Sequence, residues 1–172
     1  MRVGIESSTT IAPHGGTLVD RRPMEEERAD RLQKAAELPK VRLGGRNLSD
    51  LEMIATGVFS PLTGFMTSND YESVVATMHL SDGLVWSMPI TLSVNKEEAK
   101  DFKEGEEVAL TDSSGRIVAT MLVEDRYSYN KEHEANEVYR TTDEKHPGVA
   151  ALNRQGDTLI GAFSRHPSRA PS

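Results

Sequence analysis

Between Leu48 and Met66 the chain reads LSDLEMIATGVFSPLTGFM, where helix-start, helix-stop and turn signals follow one another within a few residues. Ser49 suits an N-cap, because its hydroxyl accepts from a first-turn N–H, and Glu52 three residues on can return the bond as a capping box. Leu48 and Met53 are spaced to close over that cap as a hydrophobic staple. Leu51, Ile54 and Ala55 continue an apolar face, and Gly57 can take the left-handed conformation that ends a helix. The spacing therefore predicts a helix of roughly two turns. Ser60-Pro61-Leu62-Thr63 then reads as a type I or II turn with proline at its second position, and Gly64 permits a further change of direction. Such a stretch is a corner around which the neighbouring elements must be arranged.

A chain of 172 residues suits one ordinary domain, which on folding buries ~70% of its unfolded surface. Its 27% charged and 5% aromatic content describe a polar globular protein with a modest core. The net charge of −7 repels phosphate backbones and counts against broad nucleic-acid binding. There is no cysteine, so disulfides, thiolate metal sites and cysteine nucleophiles are excluded. No apolar run approaches the ~20 residues that span a bilayer. The N-terminus lacks the basic start and apolar centre of a secretory signal, which makes the cytoplasm the expected location.

Residues 1–23 read as an extended arm with a short pairing segment near Thr17–Val19. His14 in APHGG invites a catalytic or phosphate-binding role, but without a strand-to-helix context the glycine pair reads as backbone turns. Residues 24–38 predict a helix with acids in the first turn, an apolar edge of Ala29, Leu32, Ala35 and Ala36, and Pro39 beyond its end. The run Glu25–Glu27 could attract a cation, but a solvated first turn is its ordinary role. Val41 and Leu43 alternate as a short strand. Thr67, Ser68 and Asn69 compete to cap a helix reaching Met78, with Tyr71, Val74, Val75 and Met78 as its core stripe and His79 at its C-terminal end.

The strongest strand pattern runs from Leu84 through Trp86, Met88, Ile90 and Leu92 to Val94, with Pro89 demanding an edge or bulge. Trp86 is its expected core anchor. Asn95–Phe102 suggests a short helical turn, and strands near Glu107–Thr111 and Arg116–Glu124 flank the turn Asp112-Ser113-Ser114-Gly115 as a hairpin. Lys131–Arg140 predicts a helix with Ala135, Val138 and Tyr139 inward. His133 and Glu137 are four apart and could share a metal, but with no third ligand they read as a surface pair. His146-Pro147-Gly148-Val149 opens another helical segment, and residues 156–161 a last turn and strand. Short strands among short helices, without β-α-β regularity, predict an α+β fold on a small, mostly antiparallel sheet.

The opening corner resembles a signature of the sulfate adenylyltransferase (ATP sulfurylase) family, whose N-terminal domain carries a segment of the type SDLEMI…G.FSPLTGFM. APHGG resembles the start of that domain. EHEANEVYRTTDEKHPGVAALNRQGDTLIG resembles its end, so the likeness covers most of residues 12–161. It implies a PUA-like pseudobarrel over residues 1–162, with 1–16 as an arm and 163–172 as a disordered tail. The intact family joins sulfate to ATP with Mg²⁺, giving adenosine 5′-phosphosulfate and pyrophosphate. That chemistry must offset crowded negative charge on a second domain bearing QxRNP, HxxH and GRDH-type motifs.

None of those motifs occurs here. Arg46-Asn47 lacks the flanking Gln and Pro, Ile117 follows Gly115-Arg116 where Asp is required, and the histidines at 14, 79, 133, 146 and 166 include no pair three apart. No catalytic, cofactor-binding or metal residue carries over. The chain is therefore expected to be a noncatalytic scaffold and domain-contact module, without cofactors of its own and lacking the catalytic domain that is its expected partner. After Gly161 the family pattern breaks into AFSRHPSRAPS, which suggests truncation or a disrupted reading frame. The competing expectations are an independent PUA-like RNA-binding module and an inactive partner of a separate catalytic chain.

Overall fold

The computed structural model describes residues 11–19 and 25–163. The earlier part of the arm, the tail from Ser164 with His166, and the Glu25–Glu27 side chains lie outside what it describes. Its elements are α1 (Glu25–Ala35), β1 (Lys40–Arg42), α2 (Gly45–Ala55), α3 (Ser68–Thr77), β2 (Leu92–Val94), β3 (Glu107–Thr111), β4 (Ile117–Ser128), α4 (Lys131–Glu134), α5 (Pro147–Asn153) and β5 (Thr158–Phe163). The sheet order is β1-β3-β4-β5-β2. β1 runs parallel to β3 and every other pair is antiparallel, so the expected α+β, mostly antiparallel architecture is what forms. The sheet stays open, with β1 and β2 at its edges.

The core explains the pairing. Val108, Ala109 and Leu110 are fully buried, as a strand covered on both faces requires. β4 is longer than its apolar alternation suggests. Its first half pairs with β3, its register shifts between Val123 and Asp125, and its second half pairs with β5 as far as Ser128↔Thr158. Glu124-Asp125-Arg126 hides this continuation from a hydrophobicity reading. Asp125 nonetheless serves the fold, because its carboxylate accepts the Ser68 N–H at 2.8 Å. That bond opens α3 from a strand 57 residues away, while Thr67 at the N-cap contributes no side-chain bond. Phe163 belongs to β5, one residue beyond the expected boundary.

The corner departs from its local signals. α2 begins at Gly45, so Ser49 and Glu52 lie inside the helix, and no capping box or staple forms. The helix has 11 residues, about three turns. Leu48, Leu51 and Ile54 pack on the core from one face, and that burial extends the helix past the local cap signal. Asn47 fixes the first turn by donating to the Thr91 carbonyl at 2.9 Å. A reciprocal box does exist at Asn95 and Glu98, each side chain accepting the other's N–H at 2.8 and 3.2 Å. The Leu62 N–H donates to Phe59 C=O at 2.8 Å, so Pro61 stands third in its turn, after a cis peptide bond. That is the type VI position, where type I or II was expected.

Other expectations fail where packing decides. Of the apolar edge of α1, Ala35 is buried while Ala29, Leu32 and Ala36 are exposed. Met78 leaves the core stripe because it is the left-handed cap of α3, at φ 58°. Residues 84–88 alternate in exposure, but Pro89 and Ile90 are both buried, and the stretch makes only the isolated antiparallel bridge His79↔Val85 rather than a ladder, since Pro89 has no N–H to give. Only Leu92–Val94 is strand. Thr17–Val19 is no strand either; Val19 N–H donates instead to the Ser60 hydroxyl at 2.9 Å. The predicted 131–140 helix is α4 followed by a π-helical turn, Ala135–Tyr139.

Candidate functional site

The rings of His14, His79 and His146 bond the backbone. The His14 ring donates to Val85 C=O at 2.8 Å, and His79 Nδ1 donates to Thr77 C=O at 2.6 Å in the last turn of α3. His146 Nδ1 accepts from Gly148 N–H at 3.2 Å and caps α5. His133 and Glu137 are not held as an i,i+4 pair. The π-turn widens the helix between them, and Glu137 reaches Arg140 at 3.5 Å. No group of three or more metal-ligating side chains assembles among the described residues. Trp86 is half-buried rather than a deep anchor; its ring meets Phe59 edge-on at 5.9 Å and lies 6.1 Å from His14.

The arrangement with most chemical potential was not predicted. Tyr71 of α3 donates to Glu134 Oε2 of α4 at 2.7 Å, and both residues are buried. Tyr127 lies tilted against Tyr71 and Tyr129 meets it edge-on, with ring centroids 5.6 and 6.0 Å from Tyr71. Tyr127 donates to Met66 C=O at 2.7 Å, and Tyr129 to Gly156 C=O at 2.8 Å. Burial pushes the Glu134 carboxyl above the ordinary glutamate value, against the Tyr71 hydrogen bond and the Arg46 charge, which favour ionisation. Burial first and the Glu134 charge second push the Tyr71 hydroxyl up. The pair bridges 63 residues of sequence, so no local spacing signals it.

Glu134 also forms part of a cleft of about 360 Å³ with Arg46, Asn47 and Asp50 of α2, Tyr139 of the π-turn, and Arg154 and Gln155 after α5. Burial raises Asp50 as well, again opposed by Arg46. The cleft thus sets two guanidinium groups against two carboxyl groups. Opposed charges of this kind cancel rather than converge on one developing charge, and the lining holds no nucleophile activated by a base.

A family model described as a PUA-like domain matches residues 11–162. The sulfate adenylyltransferase of Symbiobacterium thermophilum is 51% identical over 154 residues, covering 90% of this chain and 39% of that protein. The sulfate adenylyltransferase of Synechococcus elongatus is 55% identical over 146 residues, covering 85% and 37% respectively. Among solved structures, the hexameric APS kinase from Thiobacillus denitrificans is similar with a TM-score of 0.64 and 30% identity, covering 92% of this chain and 28% of that one. The chain spans about two fifths of the length of the curated relatives it matches. No helix among the described residues is long and apolar enough to cross a membrane.

Proposed function

Because the chain belongs to the PUA-like domains of the sulfate adenylyltransferase family, we propose that it is the N-terminal, noncatalytic domain of such an enzyme. Its role is to scaffold and contact a catalytic domain that carries the chemistry. The observation behind this reading is the pattern of the match: about half the residues are identical across nearly all of this chain, yet only two fifths of each relative is accounted for.

The side chains support the same reading. Activating sulfate requires cationic and N–H groups aimed at a crowded anionic transition state. Here the buried Tyr71 and Glu134 satisfy each other, and Arg46 faces carboxyl groups. ATP and Mg²⁺ belong, on this proposal, to the catalytic part of the enzyme, and the cytoplasm is where the activity operates. The pure chain, supplied with ATP, Mg²⁺ and labelled pyrophosphate, is expected to show no sulfate-dependent exchange. Exchange that co-purifies with the chain and vanishes in an Arg46→Ala, Arg154→Ala variant would refute the proposal.

A further inference from the structure

Ile11–Val19, Met53–Asn69 and Gly83–Asn95 contain no Asp, Glu, Lys or Arg. They are distant in sequence, and the fold brings them to one face. His14 holds the Val85 carbonyl and lies beside Trp86, Trp86 meets Phe59, and Val19 N–H holds the Ser60 hydroxyl. The approach at Gly57 is close, since a Cβ there would stand 2.6 Å from the Val19 carbonyl oxygen and 2.9 Å from Leu18 Cδ1.

Part of this neutrality belongs to the core, through Phe65, Met66 and Leu92. The outward positions are neutral as well, and several are apolar: Ile11 is 97% exposed, Leu18 66%, Val58 66% and Val85 58%. Elsewhere the surface is charged, as in Lys96–Glu107, KEEAKDFKEGEE. Charge depletion around a half-buried Trp, with exposed aliphatic groups, is the composition of an interface core.

We infer that this face, formed by Ile11–Val19, the 57–61 corner and residues 84–86, is where the catalytic part of a sulfate adenylyltransferase packs. The inference rests on the function proposed above. The occupant follows from two observations. The family match begins at Ile11, so the apolar arm is part of the family unit and not an appendage to it. In the matched relatives that unit accompanies a further three fifths of the protein, and this is the face that such a partner can cover without stripping water from charged side chains.

The test joins residues 1–162 to the part of the Symbiobacterium thermophilum enzyme that lies outside the match, and compares hydrogen exchange in the chain alone and in the chimera. Amides of 14–19, 56–60 and 84–87 are expected to slow at least tenfold in the chimera, while those of the 112–116 turn are unchanged. Val58→Asp and Val85→Asp should leave the melting midpoint of the chain alone in place, yet abolish that protection; Ser113→Asp at the turn should do neither.

Protection confined to another face of an active chimera overturns this surface and leaves the domain reading standing. Exchange activity in the chain alone overturns the domain reading instead. Sedimentation showing that the chain dimerises, with Val58→Asp dissociating the dimer, assigns the face to a second copy and overturns the inference. If the chimera does not fold, titration of the chain with the separately produced remainder gives the readout: tenfold weaker binding by Val58→Asp supports the surface, and equal binding contradicts it.

Discussion

Two regions of the molecule differ in how completely the chain satisfies them. At the α3–α4 junction, the hydroxyls of Tyr71, Tyr127 and Tyr129 each donate to a protein acceptor, and the rings interlock around buried Glu134. At the arm and corner, a few bonds hold residues 14–19 in place while Leu18, Val58 and Val85 face outward. The junction is finished from within and so serves the fold. Among the described residues the arm and corner leave apolar area uncovered, and that is where a partner has most to gain.

The contrast can be broken by substitution. Gly156→Ala should have the largest effect, because the added methyl falls inside the contact distance of the Val94 carbonyl, on the backbone that Tyr129 grips. A loss of roughly 3 kcal/mol or more in urea unfolding is expected, at the upper end of overpacking costs. Tyr71→Phe follows at about 1–3 kcal/mol, since it strips a buried carboxylate of its donor.

Glu134 adds a pH signature to the junction. Its folded value lies above the unfolded one, because burial outweighs the Tyr71 bond and the Arg46 charge. Its contribution to stability is thus fully present below the ordinary value of 4.5 and is lost as pH rises through the folded value. Glu134→Gln should remove that slope, so the variant gains on the parent chain as the pH of thermal melting is raised from acid to neutral.

At the other region the effects are smaller. Gly57→Ala combines strain at φ 82° with a clash against the Val19 carbonyl, and should cost about 1–2 kcal/mol in urea unfolding while releasing the arm. Release would show as changed Trp86 fluorescence as His14 leaves its ring. Val58→Asp should change the stability of the chain alone by no more than about 0.5 kcal/mol. If it instead destabilised the chain as Tyr71→Phe does, the two regions would be equally structural and the contrast would fail.

Sequence reading recovered what depends on periodicity and turn chemistry. β3, the Asp112–Gly115 turn, α5 with Pro147 at its start, and the buried Tyr71, Val74 and Val75 of α3 all formed as expected. It failed where distant partners overrule a local signal. Packing of Leu48, Leu51 and Ile54 overrides the Ser49 cap, and Asp125 supplies the bond to α3 that Thr67, Ser68 or Asn69 was expected to make. The charged second half of β4 pairs because β5 offers it a ladder. The Tyr71–Glu134 pair and the three-stretch face were invisible for the same reason, since each exists only after remote segments meet.

A scaffold domain holds none of the enzyme's substrates by itself, and thermal melting with and without millimolar ATP, Mg²⁺ and sulfate measures whether this chain does. A ligand bound by the folded chain raises the midpoint by mass action, with about 2.7 kcal/mol of stabilisation at one hundred times its dissociation constant. An unchanged midpoint is the expected result. A rise of several degrees that Arg46→Ala or Arg154→Ala abolishes would place substrate in the cleft beside Glu134 and contradict the scaffold role.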